Sequence, residues 1–395
     1  MKAVILAAGK CTDMFVLTDS RPKPMIPIAG KPMLVHLLNA LRDAGVKDIT
    51  LVTGYRESMF RDYFSDGSGF GVNLTYYLRP DGEEYGSTLL RMADMYKEPF
   101  LLLESNGLLG VEEISRMISP YHFACGINTR DSGSPQYFGA ASVLKEPDQT
   151  PESTLSYTGI YYFHPEIFDA IRNSTPIGVD ECDFTKPLNA LLEQNVVQSY
   201  CLMDCWQRLR YPWDFLEANE GFMKRIEERN DGVVEPGAQI IGAVTIGKNS
   251  RIRSGSYIVG PVVIGDGCDI GPNCYLRANT TIGDGCRIGA ATEVKNSIIM
   301  RGTKIPHHNY VGDSVIGENC NLGSGTKIAN LRLDKKNVMI KGIDTGRRKM
   351  GAILGDGVQT GINASIDAGS LLGDGVFVGP GATVHGEIPP GSRIR

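Results

Sequence analysis

Residues 262–289 read VVIGDGCDIGPNCYLRANTTIGDGCRIG, and an aliphatic side chain returns at every sixth position: Ile264, Ile270, Leu276, Ile282, Ile288. The spacing continues outward in both directions. Upstream lie Ile246, Ile252 and Ile258. Downstream lies Val294, then Ile316, Leu322 and Ile328 after one interruption, and Leu354, Thr360, Ile366, Leu372, Val378 and Val384 after a second. A glycine usually follows the aliphatic residue, as at Gly265, Gly271, Gly283 and Gly289. Period six is no multiple of the helical pitch, and the glycine load is too high for a helix. The pattern predicts a hexapeptide parallel β-helix, each hexad a short strand and a turn, with the aliphatic side chain inward. The following glycine is expected to meet turn geometry that other residues enter at a cost. Four positions after the aliphatic stands a small residue: Ser250, Ser256, Cys268, Cys274, Thr280, Cys286, Thr292, Cys320. That column is expected to be narrow so as to fit the corner.

A chain of 395 residues predicts two or more domains. The formal net charge of −5 gives no reason to expect nucleic acid as the main partner. Nine cysteines contain no CxxC pair, and four stand in the narrow column, so packing is expected rather than disulfides or metal. A reducing cytoplasm is the expected compartment. The apolar run in MKAVILAAGKCTDM is too short for a secretory leader, and no run approaches membrane-spanning length.

In the first half, strand patterns over residues 2–7, 49–53, 72–77 and 100–103 alternate with helical patterns. Pro32 and Gly45 frame one helix, and another covers residues 87–95. Such alternation predicts a parallel sheet with helices on both faces, ligands sitting beyond the carboxyl ends of the strands. A connecting helix is expected over residues 211–228, stopped by Asn230-Asp231-Gly232.

Residues 6–32, LAAGKCTDMFVLTDSRPKPMIPIAGKP, resemble the signature of sugar-phosphate nucleotidyltransferases. In that family a glycine-rich turn approaches the nucleotide phosphates, Arg and Lys clamp them, and carboxylates hold Mg²⁺. The resemblance implies phosphate-side roles for Gly9 and Lys23. Other positions depart from it: Cys11 replaces a Gly and Asp13 the catalytic Arg. In FLLLESNGLLG (100–110) Asn106 falls on a metal-binding Asp, and in CWQRLRYPWDFLEAN (205–219) Arg208 falls on the second. The stretch 131–157 looks short for the family's sugar-side hairpin, although Gly139, Glu146-Pro147 and Gly159 match its landmarks. These losses imply a degenerate site, with Mg²⁺ needed only if it is active. No GxGxxG follows the first strand, which argues against a dinucleotide site.

The two interruptions of the hexads carry KIPHHNYVGDSVIGENCNLGSGTKIAN (304–330) and LRLDKKNVMIKGIDTGRRKM (331–350). The first resembles the acetyltransferase half of the bifunctional N-acetylglucosamine-1-phosphate uridyltransferase/glucosamine-1-phosphate N-acetyltransferases. It is most similar to the archaeal-type sugar-1-phosphate nucleotidyltransferase/amino-sugar-1-phosphate acetyltransferases, which share TGRRKxGAIxGDGVQTGIN. The resemblance implies a general base at His307, amino-sugar contacts at Tyr310, Asn321 and Asn330, and sugar-phosphate contacts at Arg277 and Lys295. Lys336, Arg347 and Arg348 would lie at the acetyl donor, acetyl-CoA. Acyl transfer to an amine needs a proton acceptor working near neutral pH, which suits imidazole, and it needs no metal. Neighbouring strand residues point to opposite faces, so only one of His307 and His308 can face the substrate, and the resemblance to the motif prefers His307. Without the motif both would read as turn decoration, Arg277 and Lys295 as a solvated face, and the cationic excursion as a solubilising loop. His36, His122, His164 and His385 carry no motif.

The expected architecture is an α/β Rossmann-like nucleotidyltransferase domain over residues 1–230, then a left-handed parallel β-helix over 231–395. Homotrimers with acyl-donor sites between subunits are implied by the family. Three functions are weighed: an acetyl-CoA-dependent amino-sugar-1-phosphate N-acetyltransferase with a disabled first domain, a working bifunctional enzyme, and a non-catalytic regulator that binds nucleotide sugars. Glucosamine and galactosamine substrates are not separable from these residues.

Overall fold

The computed structural model describes residues 1–118, 124–129, 155–174, 198–201 and 207–395. The expectations placed on Gly139, Glu146-Pro147, His122 and Cys205-Trp206 lie outside them. Two compact units form: residues 1–10 with 33–209, and residues 11–32 with 210–395. The signature loop 11–32 and the helix Pro212–Met223 thus belong to the second unit, upstream of the 230/231 division. Among the described residues no helix is long and apolar enough to cross a membrane.

The first unit holds a seven-stranded sheet in the order Gln198–Cys201, Ala124–Thr129, Leu155–Phe163, Phe100–Glu104, Lys2–Leu6, Asp48–Thr53, Asn73–Leu78. Lys2–Leu6 pairs in parallel with Asp48–Thr53 and Phe100–Glu104. The sheet is not all parallel, as alternation alone predicted. Leu155–Phe163 runs antiparallel to both of its neighbours. Its Tyr161 and Phe163 stack at 5.2 Å in a core with Phe100, Phe168 and Ile171.

In the second unit the hexads coil as a parallel β-helix with three sheets of nine, nine and eight strands. The first face begins at Arg229–Asn230, the second at Val233–Val234, the third at Gln239–Ile241. Registers such as Ile264↔Ile282, Ile270↔Ile288 and Leu276↔Val294 stack equivalent aliphatics 18 residues apart. Together they form one buried core. The small column is buried as expected, and it also bonds. Ser250 Oγ donates to the Gly265 carbonyl at 2.7 Å, Cys268 Sγ to Gly283 at 3.2 Å and Cys286 Sγ to Met300 at 3.1 Å. Most of the column thus reaches the next coil by a hydrogen bond, whereas Ser256 Oγ and Thr280 Oγ1 are buried without a partner. Burial pushes the thiols of Cys268 and Cys274 up to about 11, and those of Cys286 and Cys320 to about 12.

Three expectations are corrected. The glycine after the aliphatic is dictated by close approach between coils, not by turn geometry. A Cβ on Gly283 would lie 2.7 Å from the Arg301 nitrogen, and one on Gly289 would lie 2.6 Å from the Pro306 carbonyl carbon. The left-handed turn positions fall later in the hexad, on Gly267 and Gly285 and on Asn249, Asn279 and Asn319, with Gly271 (φ 107°) the exception. Second, residues 295–315 do not interrupt the coil. The registers Ile282↔Ile299 and Ile299↔Ile316 show coils shortened by one residue, from 18 to 17, which shifts the six-residue count without breaking the stack. Third, the helix ends at Met223, and Asn230 already pairs in the first face, so Asn230-Asp231-Gly232 is a corner of the β-helix. The excursion 331–350 has regular structure of its own. Met339–Ile340 and Ile343–Asp344 form a hairpin across Lys341 (φ 51°) and Gly342 (φ 78°), closed at its base by a Leu331–Lys349 bridge. Val338, Ile340 and Met350 anchor it by burial, and Lys341 pairs with Glu387 at 2.8 Å.

The outward column of the first face has a property the hexad count missed. Thr281, Ile298, Val315, Ile353 and Leu371 point away from the core, yet all are buried. Helix Pro212–Met223 packs on Val315–Ile316, and the segment Thr12–Thr18 packs on Ile353–Leu354. Asn219, fully buried, joins the layers. Its Oδ1 accepts from the Ala29 N–H and from Thr281 Oγ1, each at 2.8 Å, and its Nδ2 donates to the Asn279 carbonyl at 2.9 Å. Arg21, also buried, pairs with Asp356 and lies 3.7 Å from Glu318.

Candidate active site

The third face gathers four of the residues named from sequence. Its strands Tyr275–Leu276, Glu293–Lys295, Tyr310–Gly312 and Lys327–Ile328 are consecutive neighbours. Arg277 and Lys295 follow the same column on successive coils, since Leu276 pairs with Val294. Lys295 pairs with Gly312 on the next. Arg277 donates to Glu293 at 2.9 Å and stands 5.5 Å from the Tyr275 ring. Lys295 Nζ lies 3.2 Å from Asp313. Asn330, just beyond Lys327–Ile328, donates to the Tyr310 hydroxyl at 3.1 Å. A Cβ at position 312 would sit 2.7 Å from that hydroxyl and 2.8 Å from Asn330 Nδ2, so a larger residue there would push these two side chains aside. Burial, with the carboxylates of Asp313 and Glu293, pushes the Tyr310 phenol up, so it keeps its proton at neutral pH.

His307 and His308 occupy the corner between the second-face strand Lys304–Ile305 and the third-face strand Tyr310–Gly312. They are turn residues, so strand alternation does not separate them. The corner itself does: His308 sits at φ 60°, and the two rings are nearly perpendicular, 5.7 Å apart. His307 Nε2 lies 2.8 Å from Ser324 Oγ on the next coil. Lys327 donates to the His308 carbonyl. Asn309, buried, donates to the Pro306 carbonyl at 2.9 Å and fixes the turn from inside.

Asn321 is not gathered with these residues. It lies exposed on the second face, between Lys304 and Gln359. The cationic hairpin springs from the site's edge, where Met350 N–H donates to the Asn330 carbonyl and Gly351 N–H to the Asp313 carbonyl. On it Lys336 and Arg348 are exposed and Arg347 is half-buried. The sequence reading missed Gly312, Asp313, Asn296, Glu293 and Ser324. The one-residue shortening of the coil between Val311 and Ile316 was the available signal for the first two.

The residues of the other resemblance divide between the units. In the first unit Gly9 follows strand Lys2–Leu6. Asn106 and Arg208 are neighbours, because Gln207–Arg208 pairs antiparallel with Gly107–Leu108 and Leu209 N–H donates to the Asn106 carbonyl at 2.8 Å. The two stretches that carry them are thus adjacent in the fold. Asn106 Nδ2 donates to Glu104 at 2.7 Å. The Asn106 NH₂ group is taken by that carboxylate and a guanidinium-bearing residue stands beside it, but Asn106 Oδ1 is buried with no hydrogen-bond partner, so it and Glu104 still offer oxygens of the kind Mg²⁺ takes. Among the described residues no group of three or more His, Cys, Asp and Glu could hold a metal. In the second unit Asp13 pairs with Arg210 at 2.9 Å, and Arg210 lies over the Tyr211 ring. Lys23 is buried within electrostatic reach of Cys11 and Asp214.

Two family models match this chain, and relatives match it along most of its length. The nucleotidyl transferase model covers residues 2–225, and the GMPPB C-terminal domain model covers residues 258–361. A bifunctional protein GlmU of Methanococcus maripaludis is 41% identical over 383 residues, spanning 93% of this chain and 91% of that protein. A protein of the same name from Methanocaldococcus jannaschii is 34% identical, with the same coverage. A bifunctional sugar-1-phosphate nucleotidylyltransferase/acetyltransferase of Sulfurisphaera tokodaii is 34% identical over 98% of both chains. The match over residues 2–225 includes Asp13, Asn106 and Arg208 and gives no support to a loss of nucleotidyl transfer.

Proposed function

We propose that this chain, which belongs to the nucleotidyl transferase family and within it to the bifunctional sugar-1-phosphate nucleotidylyltransferase/acetyltransferases, transfers an acetyl group from acetyl-CoA to the amine of an amino-sugar 1-phosphate. The observation that carries this reading is the third-face cluster of Arg277, Lys295, Tyr310 and Asn330, with His307 at the adjoining corner. Two cations suit a phosphate, and a protonated phenol and an amide suit the sugar. The amine nitrogen attacks the thioester carbonyl carbon and its N–H proton passes to His307. The C–S bond then breaks, and the sulfur leaves as thiolate and takes a proton. Lys336, Arg347 and Arg348 are assigned to the anionic acetyl donor and Asn321 to the amino sugar, in a homotrimer with acyl-donor sites between subunits. A cytoplasmic enzyme of nucleotide-sugar biosynthesis fits these substrates. Purified protein should release coenzyme A thiol when given acetyl-CoA with glucosamine 1-phosphate or galactosamine 1-phosphate.

For the first unit the reading is that metal-assisted nucleotidyl transfer is impaired, because the family resemblance sets Asn106 and Arg208 at the positions of metal-holding carboxylates. The second reading, a working bifunctional enzyme, is favoured by the family match over residues 2–225 and by the bifunctional relatives. Pyrophosphate release from each NTP with sugar 1-phosphates and Mg²⁺ decides between them.

A further inference from the structure

Asp313 has no role so far, yet three side chains converge on it. Its side chain is 4% exposed. It accepts from Lys295 Nζ at 3.2 Å, Asn296 Nδ2 at 2.6 Å and Asn330 Nδ2 at 2.5 Å. A carboxylate only accepts hydrogen bonds, so the Asn330 amide must turn its NH₂ group toward it. The second hydrogen of that NH₂ goes to the Tyr310 hydroxyl. Both donors of Asn330 are thereby used, and what it offers a ligand is its carbonyl oxygen. Tyr310 accepts from Asn330 and so keeps its own O–H free to donate.

We propose that Asp313 is a positioning residue that locks the Asn330 amide with its carbonyl outward, so that the site receives an N–H donor. This rests on the function proposed above and explains a requirement of that chemistry. An amine held by its N–H keeps the nitrogen lone pair free to attack the thioester. An amide turned the other way would donate to that lone pair and block the nucleophile. Asp313 thus acts through Asn330, and Gly312 leaves the room the lock needs.

The test is a four-member panel: wild type, D313N, N330D and the swap D313N/N330D. Each is assayed for KM toward amino-sugar 1-phosphate, KM toward acetyl-CoA, and calorimetric binding of the amino-sugar 1-phosphate alone. In D313N the partner can offer either end of an amide, and the lock is lost. KM for the sugar phosphate should rise about tenfold, the size of one hydrogen bond, with KM for acetyl-CoA nearly unchanged. N330D sets two carboxylates together and should bind worse still. The swap reverses donor and acceptor while keeping an oxygen outward, and should bind better than N330D alone. A merely structural role would be restored in melting temperature without this recovery in KM. D313N with wild-type KM and binding, or a swap no better than N330D, overturns the proposal while the functional reading stands. A wild type that binds no amino-sugar 1-phosphate overturns the functional reading, and this proposal with it.

Discussion

The first and third faces of the β-helix share one inward pattern and differ outward. On the first, every outward residue from Thr281 to Leu371 is buried under the chain's own helix and signature loop. On the third, the outward residues are Tyr257, Tyr275, Glu293, Tyr310, Lys327 and Ser365, none of them buried. The inward aliphatic therefore says only that a hexad belongs to the coil. The residue before it says what the face is for. Doubled aliphatics, Ile298-Ile299, Val315-Ile316, Ile353-Leu354 and Leu371-Leu372, mark a face that needs cover, while polar and aromatic residues mark one left uncovered by the chain.

The sharpest way to break this contrast is to place a carboxylate on each face. Ile298→Asp would bury an unpaired charge and should cost about 3–5 kcal/mol, seen as a large fall in the chemical-denaturation midpoint. Ser365→Asp, on the open face, should stay within about 0.5 kcal/mol. Equal effects would mean that the first face is not covered in solution. The next largest effect concerns the ionic tie between loop and coil. Arg21→Ala leaves Asp356 and Glu318 without their buried partner, but both keep partial exposure, so about 1–3 kcal/mol is expected from the same measurement.

On the open side, Ser324→Ala removes one neutral hydrogen bond to His307. The acetyl-transfer rate should fall no more than about tenfold, with no change in melting temperature. A smaller effect comes from the second face, where Arg253 bonds Asp269 at 2.6 and 2.9 Å and holds its carboxyl below the ordinary range. A depressed folded pKa means the pair contributes above the unfolded value, about 4, and is lost as pH falls below it. Arg253→Gln should therefore narrow the difference in melting temperature between pH 6 and pH 3. A difference equal to wild type would deny the linkage. Last, peptide-level alkylation of folded protein at pH 8 should label Cys11, which is exposed although its surroundings push its thiol up, and spare Cys268, Cys274, Cys286 and Cys320, which reagent cannot reach in the coil.

The hexad period revealed the coil because each inward aliphatic must fill one layer, and the small column was readable because the corner admits little else. What the period could not carry is anything set by neighbouring coils. The 17-residue coils looked like a break, although they only shorten a corner. The glycines looked like turn residues, although coil stacking demands them. In the site, Arg277, Lys295, Tyr310 and Asn330 lie as many as 53 positions apart in sequence (277 to 330), and only the family resemblance joined them before the structure did. Asp313 stayed hidden because its role is visible only in the three side chains that turn toward it. In the first unit, Asn106 and Arg208 were matched from two distant stretches, and the strand pairing beside them makes those stretches adjacent in the fold.

The central claim is that the open third face and its corner carry acetyl transfer through His307. The most direct test measures thiol release from acetyl-CoA with amino-sugar 1-phosphates for wild type, His307→Ala and His308→Ala. The account predicts turnover by wild type, a loss of about 10²–10⁴-fold at 307, and a mild loss at 308, with all three equally folded. No turnover by wild type, equal small losses at both positions, or a severe loss confined to 308 would contradict it.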